Sequence, residues 1–146
     1  MAGCGSNAFW VYGSTLQMGD AGTPEVFTTI AEVKDMDFSF ERDEIEVTSQ
    51  DSTNGWRQFI PGFRDAGELS FEANWLPTNA THDDVTGLLE QFKDDDCHNF
   101  KLILPDTILT IAFTAFVTNF EVDLPLEEQG NLSITLRMTG EPTFTY

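Results

Sequence analysis

The chain has 146 residues, of which 40% are hydrophobic and 12% aromatic, and its 25 Asp and Glu outnumber its 7 Lys and Arg to give a formal net charge of -18. This composition supports a single folded domain over residues 1–146 and excludes a disordered chain. It also excludes ordinary nucleic-acid binding, which depends on clustered Lys and Arg that displace phosphate counterions.

No apolar run approaches the roughly 20 residues that a membrane-spanning helix needs, and the first residues lack the pattern of a signal peptide. We therefore expect a protein that is made in a cytosol and does not enter a membrane. The two cysteines, Cys4 and Cys97, have no CxxC spacing, so we expect both to be free thiols.

The first 20 or so residues mix Gly, Ser and Asn around three aromatic side chains, Phe9, Trp10 and Tyr12. A segment of this kind needs a surface on which its aromatic residues can pack. That surface is either the core of its own chain or a neighbouring molecule. We predict an N-terminal arm over about residues 1–20.

Three strands are predicted after the arm, in the sequences FTTIAEV, DMDFSFE and EIEVTS. Residues that favour strands recur there with partial period-2 alternation, which places Phe38 and Phe40 on one face.

Turn-forming residues then dominate a stretch over about residues 48–67, which also carries Trp56, Phe59, Ile60 and Phe63. The stretch is too apolar for an ordinary surface loop. Connections of about 20 residues without regular structure are uncommon in compact domains and are usually functional. We therefore predict a long extended loop, which either folds back over its own core or docks on another subunit.

The sequence ELSFEANWL alternates apolar and polar residues and predicts a half-buried strand. A helix is predicted next, because Val85, Leu88, Leu89 and Phe92 follow the i, i+3, i+4, i+7 spacing of one helical face. Thr81 is the predicted cap of this helix, with two Asp residues in its first turn.

Three more strands are predicted in NFKLILP, TILTIAFTAFVTNFEVD and NLSITLRMTG. Six or more strands with one helix indicate a mainly β fold, a β-sandwich or barrel with one flanking α-helix and the long extended loop.

Candidate catalytic residues are scarce. The two histidines, His82 and His98, lie at the two ends of the predicted helix, and no further Cys or His completes a metal-ligand set with them. Acidic pairs such as Glu127 with Glu128 are expected by chance in so acidic a chain, and we interpret them as solvated surface. The sequence therefore predicts no enzyme, no cofactor and no metal site.

Three ordered stretches carry a resemblance to a known family. They are GSTLQMGDAGTPEVFTTIAEVKDM at residues 13–36, EVTSQDSTNGWRQFIPGFRDAGELSFEANW at residues 46–75, and the final FKLILPDTILTIAFTAFVTNFEVDLPLEEQGNLSITLRMTGEPTFT. Together they resemble the tail tube protein (major tail protein) family of bacteriophages with long, non-contractile tails. No single stretch is a signature, and the resemblance rests on their order over nearly the whole chain.

The resemblance implies a virion protein that assembles in the host bacterial cytoplasm into stacked homohexameric rings. These rings would form the conduit for DNA ejection, through which DNA passes without specific binding. Implied partners are further copies of the chain and the tape-measure, tail terminator and baseplate or tail-tip proteins. Two alternatives stay open: the tube of a related gene transfer agent, and a carbohydrate-binding β-sandwich in which Trp56 and Trp75 stack on sugars.

For such a tube, edge strands can join subunits around a ring, and aromatic anchors can join one ring to the next. Arg57 and Arg64 can pair with acidic residues of the neighbouring ring. The candidate subunit-interface residues are Phe9, Trp10, Tyr12, Trp56, Arg57, Phe59, Phe63 and Arg64.

Overall fold

Strands make up most of the regular structure, as the sequence predicts. The computed structural model describes residues 8–20 and 22–146, and within them nine strands and one α-helix follow each other along the chain. Their bounds are β1 Thr15–Gly19, β2 Phe27–Thr29, β3 Val33–Phe38, β4 Glu41–Glu46, β5 Phe59–Asp65, β6 Glu68–Asn74, α1 Leu88–Lys93, β7 His98–Ile103, β8 Thr110–Asp123 and β9 Asn131–Thr145. The mainly β fold is confirmed.

Seven of these strands form one antiparallel sheet, in the order β2-β1-β7-β8-β9-β6-β3. Its two edge strands, β2 and β3, are connected only by residues 30–32. The four residue steps from Thr29 to Val33 span at most roughly 14 Å, so the two edges must approach each other. The sheet therefore curls into an open barrel, and we call the gap between β2 and β3 the seam.

The inner face of the curled sheet forms the core. Strands β6 and β9 bury every second side chain, from Leu69 to Ala73 and from Leu132 to Met138. The alternation read from the sequence is confirmed for both strands. Phe100 of β7 is fully buried in the same core.

Side-chain hydrogen bonds hold the connection between β2 and β3, at one end of the seam. The backbone N–H of Ala31 donates to Oγ1 of Thr81 at 3.1 Å, and Nε2–H of His82 donates to the carbonyl oxygen of Ala31 at 3.0 Å. Nδ1 of His82 in turn accepts the N–H of Leu76 at 3.0 Å. Both backbone groups of Ala31 are thus satisfied without a partner strand.

The ring of His82 is neutral in this position. Its side chain is only 1% exposed, and burial lowers the pKa of His82, against smaller opposing effects of the Ala31 carbonyl and the Glu32 carboxylate. One ring nitrogen donates a hydrogen bond while the other accepts one, which is the pattern of the uncharged tautomer. His82 is therefore a structural residue of the seam.

We expect the substitution His82→Ala to lower the free energy of unfolding by about 2–4 kcal/mol, because Leu76 and Ala31 each lose a buried hydrogen-bond partner. Since burial lowers the pKa of His82, its contribution is complete above the unfolded pKa of about 6.5 and is lost as pH falls below that value. Urea unfolding at about pH 7.5 and about pH 5.5 tests both points. The difference in unfolding free energy between wild type and variant should be smaller at the lower pH. An equal difference at both pH values would contradict this account.

The helix is shorter than predicted: α1 begins at Leu88, and Thr81 does not cap it. Oγ1 of Thr81 is engaged at the seam, and the carboxylate of Asp83 accepts the backbone N–H groups of residues 85–87, which closes a turn. These bonds lower the pKa of Asp83. Val85 is 72% exposed and lies outside α1, whereas Leu88 is fully buried. The helical spacing was correct for Leu88 and wrong for Val85.

Helix α1 flanks the sheet and packs against β8, where the ring centroid of Phe92 lies 6.5 Å from that of Phe120. Within the part of the chain that the structure describes, no helix is long and apolar enough to cross a bilayer.

The predicted long extended loop over about residues 48–67 is only partly correct, because its second half contains a strand. Residues 59–65 form β5, which pairs with β4 to make a separate two-stranded hairpin. Pro61 and Gly62 are unfavourable in a strand, and for this reason the sequence did not predict one here. Strand β5 has an open edge, where the missing backbone N–H of a proline breaks no ladder hydrogen bond. Pro61 lies opposite Glu44, next to a register shift between Arg42 and Glu44.

Strand β1 lies within the segment predicted as an arm. Its residues Leu16 and Met18 are buried in the core, and the strand pairs with both β2 and β7. The segment before it, from residue 8 to residue 14, contains no strand. Residues 1–7, with Cys4, lie outside the described part of the chain.

Candidate subunit interface

The β4–β5 hairpin stands apart from the main sheet and carries several exposed apolar side chains. Its strands are hydrogen-bonded to each other and belong to no other sheet. Trp56 is 74% exposed and Phe63 is 87% exposed. The hairpin surface consists of Ile45, Val47, Trp56, Phe59, Ile60 and Phe63. An apolar surface of this kind on a single chain is typical of a contact site for another protein.

The turn of the hairpin is held by its own hydrogen bonds. Val47 donates its N–H to the carbonyl oxygen of Gln58 at 2.8 Å, and the N–H of Gln58 donates to Oγ1 of Thr48 at 2.9 Å. Ser52 accepts the N–H of Ser49 at 3.0 Å. These bonds fix the backbone on both sides of Trp56. The aromatic ring is therefore presented outward on an ordered turn and does not cover the core of its own chain.

The base of the hairpin is tied to strand β9. A guanidinium nitrogen of Arg137 donates to the carboxylate of Asp65 at 2.6 Å, and the same carboxylate accepts the N–H of Gly67 at 2.8 Å. The Gly67 N–H and then Arg137 lower the pKa of Asp65, and Asp65 raises the pKa of Arg137. Gly67 has φ +73°, and a Cβ there would lie 2.3 Å from the carbonyl oxygen of Ser39. Asp65 and Gly67 thus set the direction in which the hairpin leaves the barrel.

A second group of exposed aromatic residues precedes β1. Trp10 and Tyr12 stack on each other with ring centroids 5.0 Å apart, and both rings, like that of Phe9, are exposed. A turn at Ser14, whose N–H and Oγ both bind the carbonyl oxygen of Val11, connects them to the sheet. The eight residues named from the sequence therefore fall into two groups: three before β1, and five on the hairpin and its turn.

Two further exposed apolar sites were not predicted from the sequence. One is the β8–β9 turn, where Leu124 and Leu126 are exposed. The other is a groove of about 610 Å³ between the hairpin base and the end of β9, with Phe40 and Phe144 on its floor at a ring-centroid distance of 5.9 Å. In the sequence, LPLEEQG lies between two predicted strands, and its two leucines stand in a turn, where polar residues are normal. These leucines were the signal that could have identified the exposed β8–β9 turn.

The hairpin and its turn carry both basic and acidic residues. Of the 7 Lys and Arg in the chain, Arg42, Arg57 and Arg64 lie on β4, on the turn and on β5. Among the described residues no three His, Cys, Asp or Glu side chains are placed to hold a metal ion, and Cys97 is an exposed free thiol.

The chain is similar to known proteins in both sequence and fold. A family model described as Lambda phage tail tube protein matches residues 10–145. A search of curated proteins found no match. The fold is similar to a chain from the tail of an empty gene transfer agent particle refined with C6 symmetry, with 21% identity over 90% of this chain and 95% of that chain and a TM-score of 0.73.

Two further structures show the same fold. One is a chain of a sheath–tube complex from the PVC extracellular contractile injection system in its extended state, with 14% identity over 95% of this chain and 92% of that chain and a TM-score of 0.69. The other is the SPP1 tail tube, with 12% identity over 90% of this chain and 75% of that chain and a TM-score of 0.66.

Proposed function

Because this chain belongs to the lambda phage tail tube protein family, we propose that its copies form hexameric rings that stack into the tube of a virion tail. The family is one of structural proteins. The observation that carries the proposal is the hairpin surface, a set of aromatic and aliphatic side chains that the folded subunit leaves exposed. Assembly into a tube would bury these side chains.

Ring formation needs a contact that repeats after a fixed rotation and closes. The outer edges of β2 and β3 have no partner strand among the described residues, so strand pairing between neighbours can join the sheets around a ring. The C6 symmetry of the similar gene transfer agent tail supports six subunits per ring. Each subunit then acts as one domain, with the arm and the hairpin reaching to neighbouring copies.

The negative charge of the chain is suited to a tube through which DNA passes without binding. The solvent face of the sheet carries Asp37, Glu68 and Glu72 on β3 and β6, and the whole chain has a formal net charge of -18. Carboxylates repel phosphates over a Debye length of about 8 Å at physiological salt. We infer that the tube guides DNA by repulsion and that the chain performs no catalysis.

Partners of the completed tube follow from its two ends and its interior. A tail terminator and a baseplate or tail-tip protein would cap the ends, and a tape-measure protein would fill the tube before DNA enters. Chains of this fold occur in a sheath–tube terminator and in a baseplate assembly, which supports the first two partners.

A second candidate function is the tube of a gene transfer agent, which the similarity to that particle's tail favours. Both candidates use the same assembly, and the particle in which the protein occurs distinguishes them. A carbohydrate-binding sandwich would use Trp56 as a stacking platform and would stay monomeric.

Negative-stain electron microscopy of the purified protein at high concentration, beside a sizing column at low concentration, tests the proposal. Hollow tubes or stacked rings are expected at high concentration. A monodisperse monomer at every concentration, together with retention on immobilised polysaccharide, would favour the sugar-binding alternative instead.

A further inference from the structure

The turn of the hairpin contains the single Asn-Gly pair of the sequence, Asn54 followed by Gly55. Both residues are exposed and belong to a short 3₁₀ turn. The side-chain hydrogen bonds that frame this turn involve Thr48, Ser52 and Gln58 and leave the side-chain amide of Asn54 unused. The Cγ atom of Asn54 is therefore accessible for reaction.

An Asn-Gly pair can react with its own backbone. The backbone nitrogen of Gly55 loses its proton to base and attacks Cγ of Asn54, the bond from Cγ to Nδ2 breaks, and ammonia leaves a five-membered succinimide. Water then opens the succinimide at one carbonyl or the other to give Asp or isoaspartate. A side chain on the second residue hinders the attack, and glycine has none. Around Gly55 even an added Cβ would meet no atom within 4 Å, so the surroundings add no obstacle.

In the closed turn the two reacting atoms are kept apart. Asn54 has φ 55° and ψ 24°, which turns the nitrogen of Gly55 away from the Asn54 side chain. Two backbone hydrogen bonds hold this conformation, from Gly55 to the carbonyl oxygen of Ser52 at 3.4 Å and from Trp56 to that of Thr53 at 3.2 Å. Both are longer than the usual N–O distance of about 2.9–3.0 Å, so the exposed turn opens at low cost.

We propose that Asn54 is a site of spontaneous deamidation in the free subunit and that assembly into the tube protects it. The first half depends only on the turn. The second half rests on the proposed function, because Trp56 belongs to the hairpin surface that a tube would bury. A buried Trp56 would hold the turn closed and the nitrogen of Gly55 away from Cγ.

Deamidation would change the turn in two ways. Both products carry a carboxylate in place of a neutral amide, in a chain whose formal net charge is already -18. Isoaspartate also adds one atom to the main chain between Thr53 and Trp56, whose hydrogen bond closes the turn. The indole of Trp56 would lose its position on the hairpin surface. Subunits that stay unassembled would lose the ability to join a tube, so tubes would be built from recently made subunits.

The test incubates the full chain in warm, mildly alkaline buffer, with one sample diluted to monomers and another assembled into tubes. Peptide mass mapping locates each position where –OH has replaced –NH2. In the monomer, product at Asn54 should exceed that at every other Asn. In the tube it should form roughly tenfold more slowly, which corresponds to about 1.4 kcal/mol of added stability of the closed turn.

Asn54→Gln is the matched control, because its longer side chain would have to close a six-membered ring, which is much slower. After incubation as monomer, the wild type should assemble poorly, and the variant should assemble like fresh protein. Ion-exchange separation of the incubated wild type into native and deamidated fractions repeats the comparison without a variant. Only the native fraction should form tubes.

Each part of the proposal can fail separately. Deamidation at Asn54 no faster than at the other asparagines would overturn the site, and equal rates in monomers and tubes would overturn the protection. Normal assembly of the deamidated fraction would overturn the consequence for the hairpin. Absence of tubes from fresh wild type would overturn the proposed function and the protection, while product at Asn54 in the monomer would still establish the site.

Discussion

Replacing Trp56 and Phe63 together with Ser is expected to abolish tube formation and leave the subunit folded. Both rings lie on the hairpin surface, are largely exposed, and do not belong to the hydrophobic core, so their loss should affect contacts between subunits. Two aromatic anchors that become buried contribute about 4 kcal/mol or more to a contact, which corresponds to a change of roughly three orders of magnitude in affinity. Electron microscopy and sizing chromatography would show monomers at concentrations where the wild type forms tubes.

Phe63→Tyr is the matched control, because it keeps the aromatic ring and should assemble. The free energy of unfolding of the double variant, measured with urea, should stay within about 0.5 kcal/mol of the wild type. A strongly destabilised double variant would mean that the hairpin supports the core, and tubes of normal length would mean that the hairpin surface is not an interface.

The substitution Phe100→Ala is expected to lower the free energy of unfolding by about 3–5 kcal/mol, the range for a fully buried Phe whose loss leaves a cavity. Phe100 is fully buried on β7, and its ring stacks on Phe113 of β8 with centroids 5.7 Å apart. Since domains of this size have a total stability of about 5–15 kcal/mol, the variant should be partly unfolded well below the melting temperature of the wild type. Urea and thermal unfolding measure this loss.

Phe63→Ala provides the contrast, because it removes the same side chain from an exposed position. It should change the unfolding free energy by less than about 0.5 kcal/mol. Equal effects of the two substitutions would contradict the assignment of Phe100 to the core and Phe63 to the surface.

The sequence predicted most of the strands of the fold and missed β1 and β5. In β6 and β9 the inner and outer faces differ in environment, so apolar residues alternate and the strands can be read. The predicted strand EIEVTS overlaps β4 at residues 44–46, although every residue of β4 is exposed. Strand β5 was not predicted, because Pro61 and Gly62 interrupt its pattern. The strand β1 was missed because it has only five residues and ends at Gly19.

The helix prediction shows the limit of spacing arguments. The i, i+3, i+4, i+7 pattern includes Val85, yet Asp83 holds residues 85–87 in a turn through three backbone hydrogen bonds. Asp residues compete with helix formation in this way, and the sequence alone does not show which conformation wins.

The candidate interface was partly readable. Aromatic residues in a turn-rich segment indicated that Trp56 and Phe63 were unusual, and the structure shows both exposed. The groove of Phe40 and Phe144 was not readable, because those residues are 104 positions apart and meet only when β9 passes the hairpin base. Surfaces that depend on such distant pairs follow from the fold and not from local pattern.

The seam also makes the barrel mechanically uneven. Elsewhere around the sheet, separating two strands breaks a ladder of backbone hydrogen bonds, as between β8 and β9 with their twelve paired positions. No strand ladder joins β2 and β3 across the seam among the described residues, and at its end the connection is held through Ala31 by one bond from its N–H to Thr81 and one from His82 to its carbonyl oxygen. A load that changes the curvature of the sheet should therefore widen the seam first, which gives each subunit a compliant joint while the rest of its wall stays stiff.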